Sequence, residues 1–308
     1  MTAHVAEPVS ESSALASPMR LAKPLLKWPG GKRKLLGDLV ARMPHSFRHY
    51  FEPFAGGAAL FWRLFGESDT LHRIGCRATI ADVNTDLIGC YIAIAMDPDA
   101  VSAELDAFRR ATNGGLDPST YYGARAAWNE LRGAWSPAKR AATMLYLNKA
   151  CYNGLWRVNS GGEFNVPIGK FKTLALPSLN ALHSASVVLR RADLHCASFQ
   201  ETLEDAGHGD FVYADPPYMN VAAQDTRNQS FTAYSARGFG EASHRMLAAC
   251  VHAAIARGAM VMLSQADAPL AHELYRDLTI HVVEMPRSIN SKAAARGNVR
   301  ELIITGGF

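Results

Sequence analysis

Short apolar runs alternate along this chain with longer stretches in which apolar residues recur at helical spacing. The runs predict strands at residues 49–54, 78–82, 211–214, 259–263, 280–283 and 302–305. The first run leads into a glycine-rich turn, and the second ends in a carboxylate. Strands that alternate with helical stretches are typical of an open, mostly parallel α/β sheet, and we expect that fold class here.

The middle of the chain, residues 91–190, has a different pattern. Helical periodicity covers 99–110 and 119–131, and Ser136-Pro137 supplies a helix N-cap followed by proline in the first turn. The next helix would place Ala141, Met144 and Leu145 on one face. Residues 149–174 then combine glycine, asparagine, aromatic and basic residues. This region is therefore predicted to be a helical insertion that carries a basic, aromatic loop.

Composition narrows the function classes. The 308 residues carry 32 basic and 28 acidic side chains, a net charge of +4, and mean hydropathy is −0.06. No apolar run reaches the length of a membrane span. The five cysteines form no CxxC pair and have no zinc-ligand spacing, which is typical of a reducing cytosol. Residues 1–20 have no signal-peptide pattern and are expected to form a flexible tail. Between residues 20 and 48, eight basic residues accompany only Asp38.

A glycine turn and an acid mark a candidate ligand site. Phe54-Ala55-Gly56-Gly57 follows the first strand, where glycine would let a ligand approach the backbone closely. The turn is not GxGxxG, and a turn without a ligand fits it equally well. Asp82 ends the second strand, where an acid commonly binds ribose hydroxyls, although a loop acid or helix N-cap is the alternative. Together the turn and the acid favour an adenosine-containing ligand.

The segment Asp215-Pro216-Pro217-Tyr218 carries the most specific chemistry. Two prolines directly after an apolar strand end the strand and fix the chain, so a carboxylate, free carbonyls and an aromatic ring are held together. Asp215 and a backbone carbonyl would accept two N–H bonds from a planar base with an exocyclic amine, and Tyr218 would stack on its ring. The alternative is a plain Pro-Pro turn.

The order of these motifs resembles the DNA adenine-N6 methyltransferases, in particular the GATC-methylating (Dam, D12-class, α-class) family. The resemblance covers residues 25–304 and includes segments 27–32, 52–54, 147–155, 162–167, 215–218, 231–234 and 287–289. It implies a seven-stranded, Rossmann-like catalytic domain that uses S-adenosylmethionine. Residues 21–90 and 191–308 would form this domain, and residues 91–190 would form the target-recognition domain.

The resemblance also implies roles for single residues. Residues Trp28, Lys32, Phe54, Gly56, Gly57, Asp82 and Asp215 would form the cofactor site. DNA contacts are implied for Lys27, Tyr152, Asn153, Leu155, Arg157, Pro167, Lys170 and Arg287. Among these, Lys27 would read the first guanine or, alternatively, contact a phosphate. Tyr152 and Asn153 would stabilise the opened duplex, although Tyr152 could equally be a core aromatic. Arg157 would bind a guanine bidentately, and Arg287 would meet phosphates or lie on an ordinary basic loop.

Three departures from the family pattern stand out. Ala58 follows the glycine turn where the family often has another glycine. The late strand ends in Ser264-Gln265-Ala266-Asp267 where the family often has Ser-Asn-His-Asp. At Lys170-Phe171 the family often has Arg-Tyr, so that DNA contact would weaken.

The implied reaction is methyl transfer to N6 of an adenine that has been flipped out of duplex DNA, within GATC. Accepting both amino hydrogens at Asp215 and the Pro216 carbonyl would localise the nitrogen lone pair, and no metal would be needed. We expect a monomer that acts on double-stranded DNA, without a membrane, in the bacterial cytoplasm or nucleoid, or encoded by a phage. A link to restriction-modification is also expected.

Other readings stay open from the sequence. A non-catalytic DNA-binding relative is one, although both the glycine turn and the Asp-Pro-Pro-Tyr segment are intact. A methyltransferase acting on RNA or on protein glutamine shares an (Asp/Asn)-Pro-Pro-Tyr motif, but Asp215 and the basic insertion favour adenine in DNA. A NAD enzyme is disfavoured because GxGxxG is missing.

Overall fold

A computed structural model describes residues 22–66, 76–219, 239–286 and 298–308. The predicted tail at 1–20, the family segment 231–234 and Arg287 lie outside the described residues. Within them, one sheet is formed by the strands β1 His49–Glu52, β2 Arg77–Ala81, β3 Ala192–His195, β4 Phe211–Ala214, β5 Met260–Ala266, β6 Thr279–Pro286 and β7 Asn298–Gly306.

The sheet has the order β3-β2-β1-β4-β5-β7-β6. Strands β3, β2, β1, β4 and β5 are parallel, whereas β7 runs antiparallel to both β5 and β6. The predicted α/β class with seven mostly parallel strands is therefore confirmed. The chain order reverses between β1 and β4, and ligands of open α/β sheets bind at the carboxyl ends of the strands at such a reversal.

β1 and β5 end at different residues from those predicted, β6 and β7 extend beyond the predicted 280–283 and 302–305, and one strand was missed. β1 ends at Glu52, two residues early, because Pro53 has no N–H to donate to a neighbouring strand. β5 continues to Ala266, because β7 pairs with its last residues: Ala266 lies opposite Glu301. The missed strand, β3, is a half-exposed edge of four residues whose sequence contains no apolar run.

The helices are α1 Leu36–Arg42, α2 Ala59–Phe61, α3 Thr85–Met96, α4 Pro98–Thr112, α5 Pro118–Leu131, α6 Pro137–Ala150, α7 Leu179–Leu189, α8 Phe199–Glu204, α9 Glu241–Ala256 and α10 Pro269–Leu274. Local sequence explains several starts: Asn84, Asp97, Asp117 and Ser136 accept backbone N–H bonds as N-caps. The helices predicted at 99–110 and 119–131 are confirmed as α4 and α5.

Helix α6 is more deeply buried than its pattern predicted. The sequence indicated a single apolar face, but every residue from 141 to 148 is buried. The reason is that α3, α4 and α5 all pack against α6. Helix α3 also runs through residue 90, where the sequence placed a domain boundary. The division into catalytic and recognition parts stays a prediction.

Candidate functional site

Three segments that carry candidate ligand-binding or catalytic residues lie together at the carboxyl ends of the parallel strands. The glycine turn follows β1, Asp82 follows β2, and Asp215 follows β4. Since β1 lies between β2 and β4 in the sheet, the three segments are neighbours at the reversal of strand order. The structure thus brings together candidate residues that are far apart in the sequence.

The glycine turn is held by Asp82 and Tyr91. The Gly56 N–H donates to Asp82 Oδ2 at 3.0 Å, and the Tyr91 hydroxyl donates to the Gly56 carbonyl at 2.8 Å. Asp82 Oδ1 accepts the Asn84 N–H at 2.9 Å. A carboxylate has about four lone-pair sites, so Asp82 supports the turn and keeps acceptor capacity for ligand hydroxyls. Burial raises the pKa of Asp82, while these backbone bonds oppose the shift.

Trp28 packs directly against the turn. A Cβ atom at Gly56 would lie 2.7 Å from Trp28 Cδ1, and one at Gly57 would lie 3.1 Å from Trp28 Cβ. Gly56 also has φ +46°, in the left-handed region. Ala58 has φ +49°, so the departure from glycine at this position is accommodated with a strained backbone. Trp28 stacks on Trp156 with a centroid distance of 6.3 Å, which joins the turn to the 149–174 loop.

We expect Gly56→Ala to weaken ligand binding at this turn strongly. The new Cβ collides with the Trp28 indole, and alanine at positive φ costs about 1–2 kcal/mol. Gly89→Ala in α3 is the matched control, since open space surrounds Gly89 and alanine favours a helix interior. Calorimetry with S-adenosylmethionine, together with thermal melting, checks the prediction. Equal affinities in the two variants would contradict it.

Asp215, Lys32 and Tyr218 form a compact group beside the turn. Lys32 Nζ lies 2.9 Å from Asp215 Oδ1 and 4.5 Å from the centre of the Tyr218 ring, and it donates to the Gly30 carbonyl. The Lys32 side chain is only 8% exposed and that of Asp215 is 21% exposed. One face of the Tyr218 ring is thereby covered by the ammonium group.

Two buried carboxyl groups at this site have different environments. Burial raises the pKa of Asp215, while the Lys32 ammonium lowers it. Burial raises the pKa of Glu52 to about 8, against the hydrogen bond that the Tyr50 hydroxyl donates at 2.8 Å. The Asp215 carboxylate also raises the pKa of Glu52, so the two acids are electrostatically coupled.

Two residues to which the sequence assigned no role hold the end of the turn. The Tyr218 hydroxyl donates to Glu301 Oε2 at 2.8 Å, and the Met219 N–H donates to Gln265 Oε1 at 2.7 Å. Gln265 is fully buried. These contacts join the segment 215–219, which follows β4, to the strands β5 and β7. An acid within an apolar strand was the only sequence signal for Glu301.

The 149–174 loop is tied to the Lys27 backbone through Asn148. The Asn148 side chain accepts the Lys27 N–H at 2.8 Å and donates to the Lys27 carbonyl at 2.7 Å. Asn148 is fully buried, and a Cβ at Gly154 would lie 2.5 Å from Lys27 Cδ. A polar residue inside an apolar helix was the available signal for Asn148. The bonds fix Lys27 beside the loop that the sequence linked with DNA.

The predicted DNA-contacting side chains of this loop lie at or near its surface. Tyr152 is 46% exposed, which is inconsistent with a core aromatic. Asn153, Pro167 and Lys170 are also exposed, whereas Leu155 is half-buried. Asn153 has φ +56°, a conformation that asparagine tolerates better than most residues. These side chains are therefore accessible from solvent, with Leu155 partly covered.

Arg157 is fixed by one neighbour in the same loop. Its Nε donates to Asn165 Oδ1 at 2.8 Å. That bond orients the guanidinium plane and leaves the two terminal amino groups as a donor pair. Such a pair matches the O6 and N7 acceptors of guanine.

Lys27, Arg33 and Lys149 form a cluster of positive charge. Burial, with Lys27 and Arg33 next in effect, lowers the pKa of Lys149 to about 8. Like charges held together in this way are stabilised by an anion. The cluster is suited to a phosphate group.

Two features are absent from the described ranges 22–66, 76–219, 239–286 and 298–308. No group of three or more histidine, cysteine and acidic side chains there could hold a metal ion. None of the helices in those ranges is both long and apolar enough to cross a bilayer.

Comparison with known proteins gives the family. Residues 28–289 match the family model for D12 class N6 adenine-specific DNA methyltransferases. The chain is 34% identical to Type II methyltransferase M1.LlaDCHI of Lactococcus lactis subsp. cremoris and to DNA adenine methylase of Escherichia coli K12. Each match spans 286 residues, 92% of this chain and 95% of the relative. It is 33% identical to Type II methyltransferase M.MjaIII of Methanocaldococcus jannaschii, over 92% of this chain and 98% of that one.

Proposed function

The chain belongs to the D12 class of N6 adenine-specific DNA methyltransferases, and on that premise we propose that it methylates adenine within GATC after flipping the base out of the duplex. The observation that carries the proposal is the Asp215–Tyr218 turn, which presents a carboxylate and an aromatic face at the reversal point of the sheet. A base inside a duplex cannot enter such a pocket, so it must leave the stack.

The turn activates the amino group by accepting hydrogen bonds. Asp215 and the carbonyl of Pro216 accept the two N6 hydrogens, which draws the nitrogen lone pair out of the ring. The same acceptors stabilise the positive charge that develops on N6, and their effect is large because the site is largely closed to water. Tyr218 stacks on the adenine through the ring face that Lys32 leaves open. Pro217 keeps the turn rigid.

The residues around the glycine turn fit S-adenosylmethionine. A Cβ at Gly56 would collide with the Trp28 indole, so only glycine lets the turn pack this closely against that ring, and Asp82 and Asp215 supply acceptors for hydroxyl and ammonium donors. When bound, the cofactor supplies an electrophilic methyl group. Trp28, Lys32, Phe54 and Gly57 complete the site, where their task is to hold and orient the ligand. Phe54 stacks on Phe199 at 5.4 Å, which fixes its ring at the turn.

The DNA side of the proposal rests on the loop and on the positive cluster. Lys27 reads the first guanine, and Leu155, Arg157 and Pro167 contact the outer bases. Tyr152 and Asn153 fill the opened duplex, and Lys170 and Arg287 contact phosphates. Lys149 and Arg33 give a phosphate an electrostatic partner.

Transfer of labelled methyl groups to a matched set of duplexes tests the sequence assignment. The set holds one GATC duplex and variants with one base pair changed at each position. We expect each changed pair to lower kcat/KM by a factor that corresponds to about 1–3 kcal/mol of lost transition-state stabilisation. Equal transfer to all duplexes would refute GATC. Transfer to RNA or to protein glutamine, with none to DNA, would refute the substrate class.

We expect Arg157→Ala to relax discrimination at one outer base pair. Its bidentate contact is worth roughly 1–3 kcal/mol, so the preference for the cognate pair over the changed pair should fall by that amount. Arg157→Lys keeps the positive charge but loses the pair of terminal amino donors, so it should behave similarly. The same duplex set gives the ratio. A uniform loss across all duplexes would instead make Arg157 a phosphate contact.

We propose that a monomer acts on double-stranded DNA in the bacterial cytoplasm or nucleoid, or as a phage product. Similarity to Type II methyltransferases supports a role beside a restriction enzyme.

A further inference from the structure

The hydroxyl of Tyr218 has a charged partner on a neighbouring strand. It donates to Glu301 Oε2 at 2.8 Å across 83 residues of sequence. Glu301 lies on β7 opposite Ala266 of β5. A hydrogen bond to an ionised acceptor is stronger than a neutral one, so the contact fixes the ring firmly. The Tyr218 side chain therefore has both its hydroxyl and one ring face engaged, the latter by Lys32.

A second bond ties the same end of the turn to the same strand pair. The Met219 N–H donates to Gln265 Oε1 at 2.7 Å, and Gln265 also accepts the Ala266 N–H at 2.9 Å. Leu302, next to Glu301, pairs with Gln265 in the sheet. The antiparallel pair β5–β7 thus positions Tyr218 and Met219 together.

We propose that Glu301 is a positioning residue for methyl transfer, which sets the plane of the Tyr218 ring and makes the ring more electron-rich. This rests on the proposed function, in which the target adenine stacks on Tyr218. A carboxylate that accepts the phenol hydrogen increases electron density in the ring. Such a ring attracts a cationic partner more strongly, and the adenine gains positive charge as the methyl group is transferred. Glu301 itself need not contact the substrate.

The test uses the full chain with S-adenosylmethionine and a GATC duplex. Glu301→Leu removes the acceptor, Tyr218→Phe removes the donor, and the double variant removes both. Glu301→Gln keeps an acceptor oxygen but not the charge. Glu273→Gln is the control, because Glu273 is exposed and pairs with Arg245 away from the turn. Single-turnover rates, KM for both substrates and melting temperatures are measured.

We expect Glu301→Leu and Tyr218→Phe each to lower the single-turnover rate about tenfold, the loss of one hydrogen bond to a charged group. KM for S-adenosylmethionine should stay within about twofold, and the double variant should be no slower than either single variant, since one bond is lost in all three. Glu301→Gln should recover part of the rate, and Glu273→Gln should match the wild type.

Several results would overturn the proposal. Multiplied losses in the double variant, or an unchanged rate in Tyr218→Phe, would show that Glu301 acts without the Tyr218 hydroxyl. A Glu301→Leu variant that fails to fold leaves the comparison of Tyr218→Phe with Glu301→Gln, and wild-type rates in both would exclude a positioning role. Absence of transfer by the wild-type protein would overturn the proposed function and this proposal together.

Discussion

Asp215→Ala should lower kcat about 10²- to 10³-fold, the usual loss when a preorganised group that stabilises transition-state charge is removed. The carboxylate is the only charged acceptor in the turn, and its loss leaves only backbone carbonyls for the amino group. Folding should survive, because Asp215 follows the strand β4 and the strand's ladder bonds do not involve its side chain. Rapid-quench transfer assays on a GATC duplex give the rate. A rate like that of the wild type would end the proposed mechanism.

Asp215→Asn separates charge from acceptor geometry. The amide keeps one acceptor oxygen, so this variant should retain more activity than Asp215→Ala. Both variants leave Lys32, which is 8% exposed, without its carboxylate partner. Loss of this ion pair is destabilising, although Lys32 keeps its bond to the Gly30 carbonyl, so both variants should fold but melt at lower temperature. The double variant Lys32→Met/Asp215→Ala should recover stability but not turnover.

Lys32→Met should move the acid limb of the kcat profile to higher pH. The Lys32 ammonium is the main influence that lowers the pKa of Asp215 against burial. Without it the pKa rises further, and a smaller fraction of Asp215 is ionised at pH 7. We therefore expect a lower kcat than that of the wild type at pH 7, with recovery at higher pH as Asp215 ionises.

The same variant should show a matching change in stability. An acid whose pKa is raised in the folded state binds its proton more tightly there than in the unfolded chain. The free energy of unfolding of Lys32→Met should therefore fall further than that of the wild type once pH rises above the folded-state pKa of Asp215 in the wild type, which burial already holds above its usual value. Urea titrations from pH 4 to pH 8 measure this, with Lys23→Met, at an exposed position, as the control. Parallel stability curves for Lys32→Met and the wild type would contradict the pairing.

The glycine turn and the Asp-Pro-Pro-Tyr segment were predictable because residues adjacent in the sequence determine the conformation of each. A glycine turn after an apolar run and Asp-Pro-Pro-Tyr after another each determine a backbone shape with few alternatives. The parallel sheet then brings Gly56, Asp82 and Asp215 to one edge, as the strand pattern indicated. The helices α4 and α5 were also predictable, because apolar residues recur in them at helical spacing. Aspartate N-caps followed by proline fix their starts.

The supporting contacts were not predictable from local pattern. Glu301 meets Tyr218 across 83 residues, and Asn148 meets Lys27 across 121. Such partners depend on the register of β5 with β7 and on the packing of α6, neither of which a short window of sequence determines. The strand β3 was missed for a related reason, since an edge strand gains its place from pairing with β2.

Modified-base sequencing of genomic DNA tests the central claim most directly. The wild-type chain and Asp215→Ala are each expressed in cells that lack adenine methylation. We predict N6-methyladenine at GATC sites with the wild type and almost none with Asp215→Ala at equal protein level. Genomic DNA without N6-methyladenine in cells that contain folded wild-type protein able to bind S-adenosylmethionine would contradict the account, as would equal methylation by the two proteins.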